Sequence, residues 1–258
     1  MTRETSLAGK NIIVTGSAQG VGFGIVEVLL SQDANVVMLD RDAETLSASA
    51  DKLRSSGKSI LSTTGDVADA DDIKRAFKAA RDQLGPLDGL VNNAGIIRMG
   101  AVSESTNEDW VSQMNVNVVG AVNCCNAFRE NSDDSGSIVN IASNAGKVGY
   151  PNMAGYNASK AAVINLTRTL AAEWAPGINV NAVCPGGVLT PMLELVADVV
   201  GERIGENPTE LLSTMVPAQL NRHIHPREVG NVVAFLLSDA ATIIRGQSIN
   251  VDGGDTPY

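Results

Sequence analysis

The chain has 258 residues, 44% of them hydrophobic, and its 19 basic and 29 acidic side chains leave a formal charge of −10. No basic run offsets that balance, which argues against nucleic acid or an anionic membrane as partner and for a small-molecule substrate. Two histidines and three cysteines (Cys124, Cys125, Cys184) at no ligand spacing supply neither a metal site nor a disulfide framework, and with no signal-peptide core in MTRETSLAGK and no apolar run of membrane-span length the expected compartment is the cytoplasm.

Asn11 to Thr15 is a short β-branched run ending in glycine, and apolar residues on helical spacing follow from Val21 to Ser31, so the chain opens as strand, turn, helix. A second strand, Asn35 to Leu39, ends at Asp40, and a polar helix over Ala43 to Ser55 leads to a third strand at Ser59 to Thr64. A helix over Ala70 to Leu84 precedes Pro86 and the strand Gly89 to Asn92. Thr106 or Asn107 caps the next helix, which carries Asn117 and the adjacent cysteines up to the break at Asp133 to Gly136. Ser137 to Ala142 is the fifth strand, a long helix covers Met153 to Glu173, and Asn179 to Val183 is the sixth strand. After Thr190 the pattern loosens into two amphipathic pieces interrupted by Gly201, Gly205 and Pro208, before a helix from Pro226 to Leu237 and a last strand, Ser248 to Val251. This alternation predicts parallel pairing through right-handed crossovers. The expected fold is α/β: one doubly wound Rossmann-type sheet of about seven strands with helices on both faces, forming a single domain over residues 1–258.

The first turn, Thr15-Gly16-Ser17-Ala18-Gln19-Gly20-Val21-Gly22, joins a strand to a helix. Glycine removes the Cβ that would hold a pyrophosphate away from the backbone N–H groups and the positive end of that helix. The spacing departs from G-x-G-x-x-G, and tight helix packing is the competing use of these glycines. A Walker loop at Gly57-Lys58-Ser59 is set aside, because the earlier glycine it requires falls on Lys52. Asp40 lies 24 residues beyond Gly16, where a carboxylate accepts from both ribose hydroxyls of NAD and meets a 2′-phosphate with like charge. NAD is therefore expected over NADP, with Arg41 as the neighbour that would partly rescue the phosphate. Tyr156 and Lys160, four residues apart in a helical run, project from one face. An ammonium about 4 Å from a phenol favours the phenolate by roughly 4 kcal/mol at an effective dielectric of about 20, before any desolvation cost.

Thr15-Gly16-x-x-x-Gly20-x-Gly22, Asn92-Asn93-Ala94-Gly95, Asn117, Ser143, Tyr156-x-x-x-Lys160 and Pro185-Gly186-x-x-x-Thr190, in this order and approximate spacing, resemble the short-chain dehydrogenase/reductase family from Leu7 to Gly254. The resemblance implies that Tyr156 is the general acid/base at the substrate hydroxyl while hydride moves to or from a nicotinamide. Lys160 would lower the tyrosine pKa and hold the nicotinamide ribose, and Ser143 would hydrogen-bond the substrate oxygen. Asn117, chosen over Asn115, would support a water leading from Lys160 to solvent. Cofactor contacts are implied for Gly16, Gln19, Gly20, Val21 and Gly22, for Asp40 and Arg41, and for Asp66 and Val67 at the adenine. Asn93, Ala94 and Gly95 would pack on the adenosine half, with Pro185, Gly186, Val188 and Thr190 beside the carboxamide.

By the same resemblance, Pro191 to Leu220 takes the place of a mobile substrate lid with Gly201 and Gly205 as hinge candidates, and Arg98, Asn144, Lys147, Asn152 and Met192 lie where substrate contacts are expected. The implied activity is a metal-free, NAD-dependent interconversion of a secondary alcohol and a ketone. Ala182 to Gly186 and Asn93 to Arg98 are similar to stretches in relatives that oxidise sugars, sugar acids and polyols. A hydrophobic ketone, a steroid or a 3-oxoacyl thioester is the alternative substrate, although three Tyr, four Phe and two Trp offer few aromatics for a large flat pocket. A non-catalytic NAD-binding regulatory protein is the alternative of another class, and intact Ser143, Tyr156 and Lys160 speak against it. Many relatives are tetramers built through the helices carrying Asn117 and Tyr156, so a homotetramer, or else a dimer, is expected.

Overall fold

Strands buried on both faces draw mainly on apolar side chains, and the central runs of this chain supply them, with Asn92, Asn179 and Asn181 among the buried polar exceptions. In the computed structural model, which describes residues 3–55 and 60–256, β1 (Asn11–Thr15), β4 (Gly89–Asn92) and β6 (Ile178–Pro185) are buried throughout. With β2 (Asn35–Asp40), β3 (Ile60–Thr64), β5 (Gly136–Ile141) and β7 (Ser248–Val251) they form one parallel sheet in the order β3-β2-β1-β4-β5-β6-β7. The edge strands β3 and β7 carry the partly exposed positions. Ser59, expected to open the third strand, and the Gly57-Lys58-Ser59 stretch lie outside the described residues. β6 runs two residues past its expected end because β7 lies alongside it, Cys184 facing Asn250 and Pro185 facing Val251.

The period of two along each strand sorts side chains into two cores. Ile12, Val14, Val36 and Met38 face a layer made by α1 (Gly20–Ser31), α2 (Ala43–Ser55) and α9 (Pro226–Leu237). Ile13, Val37 and Leu39 face the other layer, made by α3 (Ala70–Leu84), α5 (Gly120–Asn131) and α6 (Ala154–Glu173), where Phe77 and Phe128 are fully buried. Each such side chain contributes roughly 1.5–3 kcal/mol by leaving water.

Thr106, not Asn107, caps α4 (Asn107–Met114): it accepts from the Asp109 N–H while Asp109 accepts in return from the Thr106 N–H, a reciprocal cap. The helix expected to run unbroken to the cysteines is instead widened into a π turn over Asn115–Val119 before α5 resumes at Gly120. That turn rotates the Asn117 carboxamide onto Ile96, and Gly120 packs where a Cβ would stand 2.7 Å from Val67. Cys124, Cys125 and Cys184 are buried free thiols. Beyond β6 lie α7 (Pro191–Ile204) and α8 (Pro208–Thr214). Gly201 is not a loop hinge but sits inside α7, packed against the Glu206 carbonyl, while Gly205 ends the helix in the left-handed region at φ 72°. No helix among the described residues is long and apolar enough to cross a membrane.

Candidate active site

The sheet order reverses direction between β1 and β4, and at such a switch point the loops leaving the two strands part to open a crevice. A cavity of about 790 Å³ lies there. Its floor is fixed by side chains from both turns. Thr15 Oγ1 accepts from the Asn93 and Ala94 N–H groups, each at 3.1 Å, and Asn93 Nδ2 donates to the carbonyls of Thr15 at 3.0 Å and Gly16 at 2.8 Å. Gly16 has φ 61°, and a Cβ on it would stand 2.6 Å from Ala94 Cα, so both conformation and space demand glycine. Gly16, Gln19, Gly20 and Val21 line the cavity. Gly22 does not: it packs the helix onto the turn, where a Cβ would press into the Gly16 carbonyl, so tight packing accounts for that position.

Among the described residues α1 has no side-chain cap and no acidic residue in its first turn. By contrast α3, α4, α7 and α8 are capped by Asp69, Thr106, Thr190 and Asn207. The open N–H groups of α1, at its positive end, suit the pyrophosphate of a dinucleotide. At the far end Asp40 lines the same cavity with Arg41, Asp42, Asp66 and Val67. Asp40 Oδ2 accepts from the Ala18 N–H at 3.0 Å and Oδ1 from the Asp42 N–H at 3.2 Å, which holds the carboxylate in place with acceptor capacity left over.

β5 delivers Ser143 just past its end, and the first two turns of α6 deliver Tyr156 and Lys160 to the same wall. Ser143 Oγ accepts from the Ala145 N–H at 3.1 Å and lies close enough to Tyr156 to favour its ionised form. Lys160, 4% exposed, donates from Nζ to the Ile141 carbonyl at 2.8 Å and stands 5.7 Å from the centroid of the Tyr156 ring. Burial pulls its pKa down to about 8, with Cys184 acting weakly the other way. Tyr156 keeps part of its surface on the cavity, yet the protein around it disfavours a phenolate and pushes the phenol up to about 12 against the pull of Ser143. The ammonium sits over the ring face and is shared with a carbonyl, and within the chain itself desolvation outweighs it.

Asn117 lies outside the main cavity. Its Nδ2 donates to the Ile96 carbonyl at 3.0 Å and to Ser159 Oγ at 2.9 Å, and its Oδ1 accepts from the Ile96 N–H at 2.8 Å, clamping the loop after β4. With Lys160 it borders a separate void of about 10 Å³, near the smallest space that holds one water.

Asn93, Ala94, Gly95, Pro185, Gly186, Val188 and Thr190 all line the main cavity, as do Arg98, Asn144 and Met192. Two expected substrate contacts do not. Lys147 turns away to donate to the Ser248 carbonyl at 2.9 Å, and Asn152, at φ 60°, gives its carbonyl to the Gly100 N–H. Tyr150, Met153, Met215, Val216 and Asp255 line the cavity without having been singled out in the sequence. Tyr150 shares a loop with the expected contacts and was findable by its place; Asp255 had no local signal, because a turn near the C-terminus brings it there. Arg203 of α7 pairs with Glu104 of the loop after β4 at 2.6 Å, joining two segments that flank the cavity.

A family model described as Enoyl-(Acyl carrier protein) reductase matches residues 16–256. The chain is 36% identical over 255 residues to the oxidoreductase UcpA of Escherichia coli (strain K12), covering 97% of this chain and 95% of that protein. It is likewise 36% identical over 249 residues to the 3-oxoacyl-[acyl-carrier-protein] reductase FabG of Staphylococcus aureus (strain N315), covering 95% and 97%. Among solved structures, a variant of the actinorhodin polyketide ketoreductase with NADPH superposes with a TM-score of 0.92 at 33% identity over 100% of both chains.

Proposed function

Since the chain belongs to the short-chain dehydrogenase/reductase family, oxidoreductases that act on carbonyl and hydroxyl groups with a nicotinamide cofactor, we propose that it interconverts a secondary alcohol and a ketone on a polyol, sugar or sugar acid with NAD. The observation that carries this reading is the convergence of Ser143, Tyr156 and Lys160 on the cavity that the open end of α1 also faces. A nicotinamide bound there would supply or take the hydride at the substrate carbon. Tyr156 Oη takes the proton from the alcohol or returns it to the ketone, and Ser143 Oγ donates to the same oxygen as charge develops on it. Lys160 holds positive charge beside the phenol, and Asn117 fixes the wall opposite it through Ile96. The chain acts as one domain, residues 191–220 serve as its lid, and it assembles as a homotetramer or dimer. The buried free thiols suit a reducing cytoplasm. NADH formation by the purified protein on a panel of polyols, sugars and sugar acids tests the reading; activity confined to hydrophobic ketones would remove it.

An alternative substrate, a 3-oxoacyl thioester, is favoured by the name of one relative, the 3-oxoacyl-[acyl-carrier-protein] reductase, and by the apolar wall of Met192, Leu193, Leu195 and Met215.

Asp40 is the residue behind the NAD preference. Wild-type kcat/KM should favour NAD over NADP by on the order of a hundredfold, since a fixed carboxylate facing a 2′-phosphate costs several kcal/mol. Asp40→Ser should narrow that ratio to within about tenfold, because Arg41 then faces the phosphate with the Asp40 charge removed and only Asp42 competing. Equal use of both dinucleotides by the wild type would remove Asp40 from this role.

The Glu104–Arg203 pair would tie the lid to the loop after β4. Arg203 and the Ala101 N–H hold the Glu104 carboxyl below its ordinary range, but both partners are largely in water. Glu104→Gln is expected to raise KM about two- to fivefold with kcat nearly unchanged, and added salt should raise the wild-type KM in the same way. Steady-state kinetics across a salt series decides; a salt-independent KM would separate the pair from substrate entry.

A further inference from the structure

The polar residues beside Ser143 form a chain that leads away from the reacting centre. Asn144, 6% exposed, takes the Ser143 hydroxyl on its carbonyl oxygen at 3.4 Å and donates Nδ2 to Tyr150 Oη at 3.0 Å. With an acceptor site of Tyr150 so occupied, its phenolic proton is left to serve as a donor. Asp255 lines the same cavity, near enough that its charge, together with burial, raises the Tyr150 pKa and keeps that proton on. Asp255 is no loose terminal residue. The adjacent Gly254 carbonyl accepts from Gln219 Nε2 at 3.0 Å, and Asp252 closes the turn by accepting from the N–H groups of Gly254 and Thr256. The cavity therefore offers a donor, Tyr150, joined to Ser143 through a single carboxamide, and an anionic acceptor, Asp255, carried on a hydrogen-bonded turn. A hydroxyl group donates one hydrogen bond and accepts another, which is the complement of that pair. An unsubstituted acyl chain would leave both groups unpaired, and a carboxylate there would meet like charge from Asp255. Arg98, the cation on the loop after β4, is exposed and lies in the field of Asp109.

We propose that Tyr150 and Asp255 recognise a second hydroxyl of the substrate, next to the carbon that reacts, so that the substrate class is an uncharged vicinal diol or polyol and not a sugar acid or an acyl thioester. The proposal rests on the oxidoreductase reading above and narrows it.

A matched pair of alcohols, 1,2-cyclohexanediol and cyclohexanol, each with NAD, tests it in the wild type and in Tyr150→Phe, Asp255→Ala and Asp255→Asn. Wild-type kcat/KM is expected to be at least about tenfold higher on the diol. Tyr150→Phe and Asp255→Ala should each lower kcat/KM on the diol by on the order of ten- to a hundredfold, with cyclohexanol within about threefold, and Asp255→Asn should fall between. Tyr150→Phe keeps the ring and leaves the terminal turn untouched, so it answers the question even if Asp255→Ala loosens that turn. Equal losses on both alcohols, or a wild type indifferent to the second hydroxyl, overturn the proposal alone. A wild type that oxidises neither alcohol but reduces a 3-oxoacyl thioester overturns the reading beneath it as well.

Discussion

Tyr156→Phe is expected to lower turnover by about a hundred- to ten-thousandfold while dinucleotide affinity stays within about threefold. Phenylalanine keeps the ring beneath Lys160 and removes the oxygen alone. Ser143 is left with the Ala145 N–H and the Asn144 carbonyl as partners, so no buried group is stranded and the fold should hold. The pH dependence has a definite sign. To accept a proton from an alcohol the phenol must first lose its own, and burial pushes its pKa up to about 12, so alcohol oxidation should rise steadily with pH through the accessible range. Ketone reduction uses the protonated phenol and should stay level over the same range. Steady-state rates in both directions, with fluorescence titration of the reduced dinucleotide, check each part. A loss of less than tenfold would take Tyr156 out of the proton transfer.

Lys160→Met should abolish most activity and, at neutral pH, make the protein more stable. A fall of the lysine pKa from 10.5 to about 8 corresponds to about 3 kcal/mol of cost for carrying the ammonium in the folded state. Between pH 8 and 10.5 the unfolded chain binds this proton more readily than the folded chain, so this group's contribution to stability rises with pH across that window, and the full cost applies below pH 8. Methionine fills the space without charge but strands the Ile141 carbonyl, which costs about 1–2 kcal/mol, leaving a net gain of about 1–2 kcal/mol. Thermal unfolding at pH 7 and pH 9.5 reads this directly: the variant should melt higher at pH 7, and the gap should close at pH 9.5. A variant less stable than the wild type at pH 7 would show that the ammonium is better solvated than its 4% exposure suggests.

The sheet was legible because the strands are short, β-branched-rich runs bounded by turn residues, and because a parallel order leaves the chain few ways to return. The two wall positions proposed for the chemistry at the substrate oxygen, Ser143 and Tyr156, were legible through the family resemblance, and the strand end and helix start that carry them are defined by local sequence. What escaped is what depends on distant chain. Asp255 reaches the cavity on a turn held by Gln219 through the Gly254 carbonyl, which no pattern around residue 255 announces. Lys147 and Asn152 have the right chemistry in the right loop, yet one is drawn off by the Ser248 carbonyl and the other turned by a left-handed backbone. Gly22 is a glycine like Gly16 in the sequence and differs in its backbone conformation and in which side of the turn its missing Cβ would occupy. Spacing along a helix gives a distance between Tyr156 and Lys160 and says nothing of the dielectric around them, so the desolvation of both groups was not legible.

The π turn at Asn115–Val119 also fixes what kind of genetic change this helix can survive. It contains one residue more than an α-helix of the same span would need, so dropping any single residue there would let the helix relax to its ordinary repeat. Relaxation would swing one half by about 100° against the other. Either the carboxamide at 117 would let go of Ile96, or Cys124 and Phe128 would rotate out from under the sheet. Point substitutions on the outer face of this segment should be borne easily, whereas an in-frame loss of one codon should be as damaging as losing the tyrosine itself.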